Sequence, residues 1–345
     1  MSKRVTSQDV ANLAGVSRTT VSFVLNDVKR FSIRPETAAK VRQAAQQLGY
    51  VPNASARALA SNSAMAIGLI MTRNPQYIAS DSFLPLIMGG MMDVVKQNQL
   101  GLLVEWVEPG QQLRAYMALT RARHIDGMIL MTPRSDDTGL KALEDSDIPA
   151  VLMGYIPGLK LHSVDVDNIQ AAKVAVDHLI ELGHQKIACI TNAATPYSSS
   201  SQRFDGYKQA LAGAGLAFDP KLVRQADFDS HSGYKQMQSL LETNPDFTAV
   251  FVASDAVAIG AMLAIREAGL RIPEDISIVG FDDIPAASYV TPKLSTVHMP
   301  AKEIAQHSCE LLLQLMRGEK PETKDISLPT HLKIRQSTAY LERRP

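Results

Sequence analysis

The sequence predicts a small all-α helix-turn-helix head followed by an α/β body made of two doubly wound parallel-sheet lobes. Three observations predict it. The first sixty or so residues carry helix caps and glycine stops at short intervals, and hold nine basic residues against three acidic ones within 1–62. From Ala66 onward, short apolar runs alternate with stretches of helical spacing, the pattern of parallel strands covered on both faces. That alternation runs through two successive series, and 345 residues suffice for several separate cores.

In the head, Thr6 is a good N-cap for a helix that places Val10, Leu13 and Ala14 on one face. Gly15 supplies the tight turn, and Ser17 caps a second helix with Val21, Val24 and Leu25 at three- and four-residue spacing. After the polar stretch Asn26–Arg30, Pro35 in a first turn opens a third helix, whose face is Ala38, Val41, Ala45 and Leu48 and whose stop is Gly49. In the body, strands are expected over Ile67–Met71, Leu102–Trp106, Gly127–Met131 and Ala150–Met153. Helices are expected over Leu84–Gln97, Leu113–Arg123 and Thr138–Glu144. A second series begins near Val164, with helices Asn168–Leu182, Arg203–Ala214, Gly233–Leu241 and Ala256–Ala268. Its strands are Ile187–Ile190, Leu222–Ala226, Ala249–Ala253 and Ser277–Phe281. Ser198–Ser201 reads as a polar loop, and Gly89-Gly90 as a close helix contact.

Charge and composition narrow the function. The chain is neutral overall, so the +6 of residues 1–62 is balanced by −6 on the remainder; a basic head on an acidic body suits phosphate contact by the head alone. No apolar run reaches the eighteen residues of a membrane span, and the start lacks an apolar signal core, so a cytoplasmic protein is expected. Cys189 and Cys309 lack any ligand spacing and read as reduced, buried thiols. The eight histidines show no HExxH or other metal spacing, and there is no GxSxG, Walker loop or GxGxxG. Asp165 and Asp167 read as a lobe-linking and capping element and not as a catalytic pair. Neither a cofactor nor an enzymatic reaction is expected.

The stretch from Thr6 to Ser22 carries the most specific signal. A helix, a glycine turn and a capped second helix form the unit whose second helix enters the DNA major groove. Arg18 and Thr19, at its exposed start, are placed to reach base edges. Thr6, Ser17, Thr20, Ser22 and Asn26 suit phosphate contacts, which set register and not sequence. Phe23 admits either a thymine-methyl contact or core packing.

This head resembles that of the lactose-repressor (LacI/GalR) family. Ile33-Arg34-Pro35-Glu36-Thr37 and Leu48-Gly49-Tyr50-Val51-Pro52-Asn53 are similar to its third helix and hinge entry. Further markers are Val164-Asp165-Val166-Asp167-Asn168, Leu182-Gly183-His184, Ser254-Asp255, Val279-Gly280-Phe281-Asp282-Asp283 and Pro292-Lys293-Leu294-Ser295-Thr296-Val297. The resemblance spans essentially the whole chain. It departs at Phe23, where some relatives have a polar base reader, and in a longer loop around Val28–Phe31.

The resemblance implies a homodimer whose two heads read a near-palindromic operator. It implies a DNA-binding domain over 1–62, with a hinge helix at about 53–61 that forms only on DNA. Asn53 and Arg57 would contact DNA there, and Leu59 would wedge into the minor groove. The alanine-rich stretch fits, since nine residues alone are too few for a stable helix. An effector-binding and dimerisation domain over 63–345 would resemble periplasmic sugar-binding proteins. Its amino-terminal lobe would hold about 63–163 and 294–328, and its carboxy-terminal lobe about 164–293 and 329–345. No heptad tail follows Leu328, which favours a dimer.

The resemblance also implies effector contacts by Asp282, Arg203, Asp255 and Phe228, by Ser82 and Phe83 on the other lobe, and by Arg134 and Asp137 after the strand Gly127–Met131. Carboxylates, an arginine and an aromatic face suit a polyol. Other roles stay open: Asp255 and Asp282 as caps or lobe–lobe partners, Phe228 and Phe83 as core, Arg203 in a surface salt bridge. The expected function is repression of carbohydrate-utilisation genes, relieved by a sugar inducer. A co-repressor of another chemistry is one alternative. A sugar-transport protein is another, but it would have no use for the head.

Overall fold

The structure is a computed structural model that describes residues 5–25, 33–51, 63–72, 81–108, 110–243 and 246–341. The chain divides into two compact units, Met1–Met65 and Ala66–Pro345.

In the first unit, α1 (Ser7–Ala14) begins at a reciprocal cap. The Thr6 hydroxyl accepts from the Asp9 amide, and the Asp9 carboxylate accepts from the Thr6 amide at 2.8 Å. Gly15 ends the helix with φ +65°, a conformation that suits glycine, and its N–H returns to the Ala11 carbonyl. Helix α2 (Arg18–Leu25) follows at once, with Ser17 Oγ accepting from the Thr20 amide at 3.1 Å. Helix α3 (Pro35–Leu48) opens on proline and stops at Gly49. Val10, Ala11, Val21, Val24, Val41, Ala44 and Ala45 form the core the three helices share, with Ala14, Leu25, Ala38 and Leu48 packed against it; Leu13, expected on the buried face of α1, is instead 52% exposed. Phe23 is half-buried and lies outside that cluster.

The second unit contains two six-stranded sheets. The first has strand order β11-β5-β4-β3-β1-β2, from β1 (Ala66–Met71), β2 (Gly101–Trp106), β3 (Gly127–Met131), β4 (Ala150–Met153), β5 (His162–Val166) and β11 (Asp325–Leu328), all parallel. The second runs β12-β10-β9-β8-β6-β7, from β6 (Ile187–Thr191), β7 (Val223–Gln225), β8 (Ala249–Val252), β9 (Ser277–Asp282), β10 (Ser295–His298) and β12 (His331–Lys333). Only β12 pairs antiparallel.

Helices α4 (Leu84–Gln97), α5 (Gln112–Arg121), α6 (Thr138–Glu144) and α11 (Ala301–Met316) accompany the first sheet. Helices α7 (Asn168–Glu181), α8 (Ser198–Gly213), α9 (Ser230–Thr243) and α10 (Asp255–Glu267) accompany the second. The period-two alternation of strands divides β1 between two layers: Ile67, Leu69 and Met71 face one core and Ile70 the other. Gly90 lets α4 and α11 approach closely, since a Cβ there would lie 2.5 Å from the Lys302 carbonyl oxygen.

Two expectations need correcting. The lobe boundaries shift, because β5 completes the first sheet and β10 belongs to the second. The chain therefore crosses between lobes after β5, after β10 and between β11 and β12. Ser198–Ser201 is not a loop but the first turn of α8: Ser200 and Ser201 amides donate to the Tyr197 carbonyl, closing helical turns.

Candidate effector cleft and head

The carboxyl ends of both sheets open onto one cavity, the position where open α/β sheets bind ligands. The space it encloses, with the open mouth included, is about 760 Å³. Met131, Met153 and Asp165 come from strand ends of the first sheet. Asn192, Ser254, Asp282 and Met299 come from strand ends of the second. Phe83 and Ile87 of the α4 region, Phe228, and Ser198 and Ser199 at the start of α8 complete most of the wall.

Arg203 is the polar centre of this cavity. Only 4% exposed, it projects from α8. Its Nε donates to Asn168 Oδ1 (2.9 Å), its Nη1 to the Ala253 carbonyl (2.7 Å) and to Asp282 Oδ1 (3.2 Å), and its Nη2 to Met299 Sδ. The guanidinium also lies over the Phe281 ring, 3.7 Å from its centroid. A surface salt bridge is therefore excluded.

Asp282 is aimed by strained backbone. It and Asp283 both have positive φ (+113° and +56°), where a non-glycine residue costs about 1–3 kcal/mol. The turn sends the two carboxylates apart. Asp282 lines the cavity, while Asp283 accepts from His298, Lys333 and Arg335 outside it. Burial pushes Asp282 up to about 6 against the opposing pull of Arg203 and Ser254. Burial likewise pushes Asp165 up to about 6, although the Val166 amide, Arg203 and Asn168 favour its ionised form. Phe228 also adopts a positive φ, +60°, and its ring meets that of Tyr197 edge-on at 5.0 Å.

Four predicted effector residues do not line this cavity. Asp255 is fully buried beneath it: its carboxylate accepts from the Ile284 amide and the Thr296 hydroxyl, and burial raises its pKa well above the usual carboxylate range. Ser82 is exposed, whereas its neighbour Asp81 lines the cavity and accepts from the Phe83 and Leu84 amides at the start of α4. Asp137 caps α6 through the Gly139 amide and accepts from the Tyr116 hydroxyl at 2.7 Å. Arg134 pairs bidentately with Asp136 and places its guanidinium 4.7 Å from the centroid of the Tyr197 ring.

That last contact belongs to a clasp between the lobes. The Ser135 amide donates to the Pro196 carbonyl (2.8 Å), and the Ser198 amide to the Pro133 carbonyl (3.1 Å). Sequence reasoning missed Asp81, Asn192 and Asp165 as cavity residues. Their signal was position alone: Asp81 shortly before α4, Asp165 near the end of β5 and Asn192 just after β6.

In the head, Arg18 and Thr19 are exposed at the start of α2, as predicted. The Thr6, Ser17 and Thr20 hydroxyls are engaged in helix caps, and Ser22 is half-buried. Asn26, Asn53, Arg57 and Leu59 lie outside the described residues, as does the loop around Val28–Phe31.

A family model for bacterial regulatory proteins, lacI family, matches residues 6–53, and one for a periplasmic binding protein-like domain matches 176–338. The chain is 33% identical over 341 residues to the HTH-type transcriptional regulator CelR of Thermobifida fusca, covering 97% of this chain and 98% of that one. The chain belongs to the LacI family of bacterial regulatory proteins. Another family member, the HTH-type transcriptional repressor CytR of Escherichia coli K12, is 33% identical over 339 residues and 97% of each chain. Among solved LacI-family structures, the lac repressor dimer bound to operator and the anti-inducer ONPF superposes with a TM-score of 0.85. It is 30% identical and covers 98% of this chain and 100% of that one. The CelR–cellobiose complex gives 0.74 at 32% identity over 97% of this chain and 100% of that one. These relatives are transcriptional regulators. Among the described residues, no helix is long and apolar enough to cross a membrane.

Proposed function

We propose that the protein is a dimeric, sugar-responsive repressor that holds operator DNA through its head and releases it when a saccharide occupies the cavity of its body. The observation that carries this reading is the cavity itself. Aromatic and apolar walls surround buried carboxylates and an arginine at the carboxyl ends of two sheets, in a chain that also has a capped helix-turn-helix.

On DNA, α2 lies in the major groove with Arg18 bonding a guanine edge and Thr19 beside it. Thr6, Ser17, Thr20, Ser22 and Asn26 face the phosphates and set register. The hinge segment contributes Asn53 and Arg57, with Leu59 wedged into the minor groove between the half-sites. In the body, Asp282 and Asp165 accept ligand hydroxyls, Arg203 holds Asp282 in place, and Phe228 and Phe83 cover the C–H surface of the sugar. The saccharide shifts DNA affinity only as far as it binds the two body conformations unequally. The CelR–cellobiose structure supports a saccharide, and the operator-bound lac repressor dimer supports the assembly.

Footprinting on the promoter region of the protein's own gene, with and without a saccharide panel, tests the reading. Protection of a near-palindrome that one saccharide removes is the expected result. Strengthened protection would assign the opposite sign, a co-repressor. Absence of any selective protection would overturn the reading.

A further inference from the structure

We propose that the effector is rich in hydroxyl donors and carries no negative charge: an uncharged saccharide and not its phosphorylated counterpart. The inference rests on the sugar-responsive reading and decides the charge of the ligand within it.

The described residues lining the cavity include three carboxylates, Asp81, Asp165 and Asp282, and Arg203 is their only lysine or arginine. That arginine is already committed. A guanidinium has five N–H donors, and those of Arg203 reach Asn168 Oδ1, the Ala253 carbonyl, Asp282 Oδ1 and Met299 Sδ. Its flat face is occupied by the Phe281 ring. At most one N–H remains, too little for the bidentate grip by which arginine recognises phosphate.

The helix starts beside the cavity each carry an acidic side chain or an amide that already has a partner. Asp81 accepts from two amides at the start of α4. Asp255 sits in the first turn of α10. The first amide of α8, that of Ser198, donates to the Pro133 carbonyl.

An independent observation gives the hydrogen-bonding sense. Asn192, 3% exposed and part of the cavity wall, has its Oδ1 buried with no hydrogen-bond partner. A buried acceptor of this kind calls for a donor from the ligand. A hydroxyl supplies one, to Asn192 and to the carboxylates alike. A phosphate offers acceptor oxygens and close to two negative charges. It would bring them next to three carboxylates with no uncommitted cation among the described residues that line the cavity, where an unpaired buried charge is strongly disfavoured.

Isothermal titration calorimetry on the full chain at pH 7.5 tests this, with D-glucose, D-galactose, D-fructose and cellobiose set against glucose 6-phosphate, galactose 6-phosphate and fructose 6-phosphate. The expected result is binding of at least one uncharged sugar, with any matching 6-phosphate weaker by about tenfold or more, equivalent to at least ~1.4 kcal/mol. A 6-phosphate that binds as tightly as its uncharged counterpart, or more tightly, overturns the proposal. If that phosphate also releases operator DNA, the sugar-responsive reading survives the loss. If no sugar of either class binds or alters DNA binding, both the reading and this proposal fall.

Discussion

Replacing Arg203 with methionine keeps much of the side-chain volume and removes one charge from the middle of the body. The structure determines what is left behind. Asp282, 7% exposed, would lose its 3.2 Å ion pair, and Asn168 Oδ1 and the Ala253 carbonyl would each lose a donor. Removing one member of a buried pair strands the other, at a cost of about 3–5 kcal/mol. The carboxyl of Asp282, already raised to about 6 by burial with Arg203 beside it, would rise further and take up a proton. The double variant Arg203→Met/Asp282→Asn removes the stranded charge as well, so it should recover part of the loss, with a coupling of about 0.5–3 kcal/mol between the two sites. Urea titration measures both. The single tryptophan, Trp106 on β2, places a fluorescence probe in the body. A loss below about 1 kcal/mol in the single variant, or a double variant whose loss equals the sum of the two single losses, would refute the assignment of Arg203 as the counter-charge holding Asp282.

Three further outcomes follow from the same geometry. Arg18→Ala should weaken specific operator binding by about 1–3 kcal/mol while sparing non-specific binding; competition against random DNA reads this, and unchanged selectivity would remove Arg18 from the groove. Arg134→Ala strips the cation from the Tyr197 ring in the clasp between lobes, so several-fold more saccharide should be needed for half-maximal DNA release; an unshifted response curve would make the clasp incidental.

Saccharide affinity should depend on pH. Asp165 and Asp282 are pushed up to about 6 by burial, with Arg203, Asn168, Ser254 and Asp81 as the groups that act on them. Hydroxyl donors favour the ionised acceptors, so affinity should be full above pH 7 and fall as pH drops through about 6; a flat calorimetric profile from pH 5 to 8 would contradict it. The same upward shifts cost folded stability as pH rises from the unfolded carboxylate range toward 6.

The parts of the fold that local chemistry dictates were legible in the sequence. The Thr6 and Ser17 caps, Gly15 and Gly49 are each read from one or two neighbouring residues, and the structure places them where the sequence does. Buried strands such as Gly127–Met131 and Ala150–Met153 are apolar throughout, and their limits coincide with prediction. What failed depended on partners distant in sequence. Whether Val164 opens the second lobe or closes the first sheet is decided by its pairing with β4 and β11, which no local pattern records.

The site divides in the same way. Asp282 and Asp255 look alike, each beside a strand end, yet the positive φ of Asp282 turns it into the cavity while Asp255 bonds Thr296 beneath the floor. Arg134 and Asp137 follow a strand that ends at the cavity. Their partners, Tyr197 from the other lobe and Tyr116 from α5, draw them away from it.

The central claim is that occupation of this cavity sets the affinity of the head for DNA. Fluorescence anisotropy of the protected promoter fragment, titrated with wild-type protein and with Asp282→Ala in parallel and with the releasing saccharide added to each, tests it most directly. The account predicts equal DNA affinity for the two proteins without sugar, and release of the wild type alone when sugar is added. Release of both at the same saccharide concentration, or of neither, would contradict it.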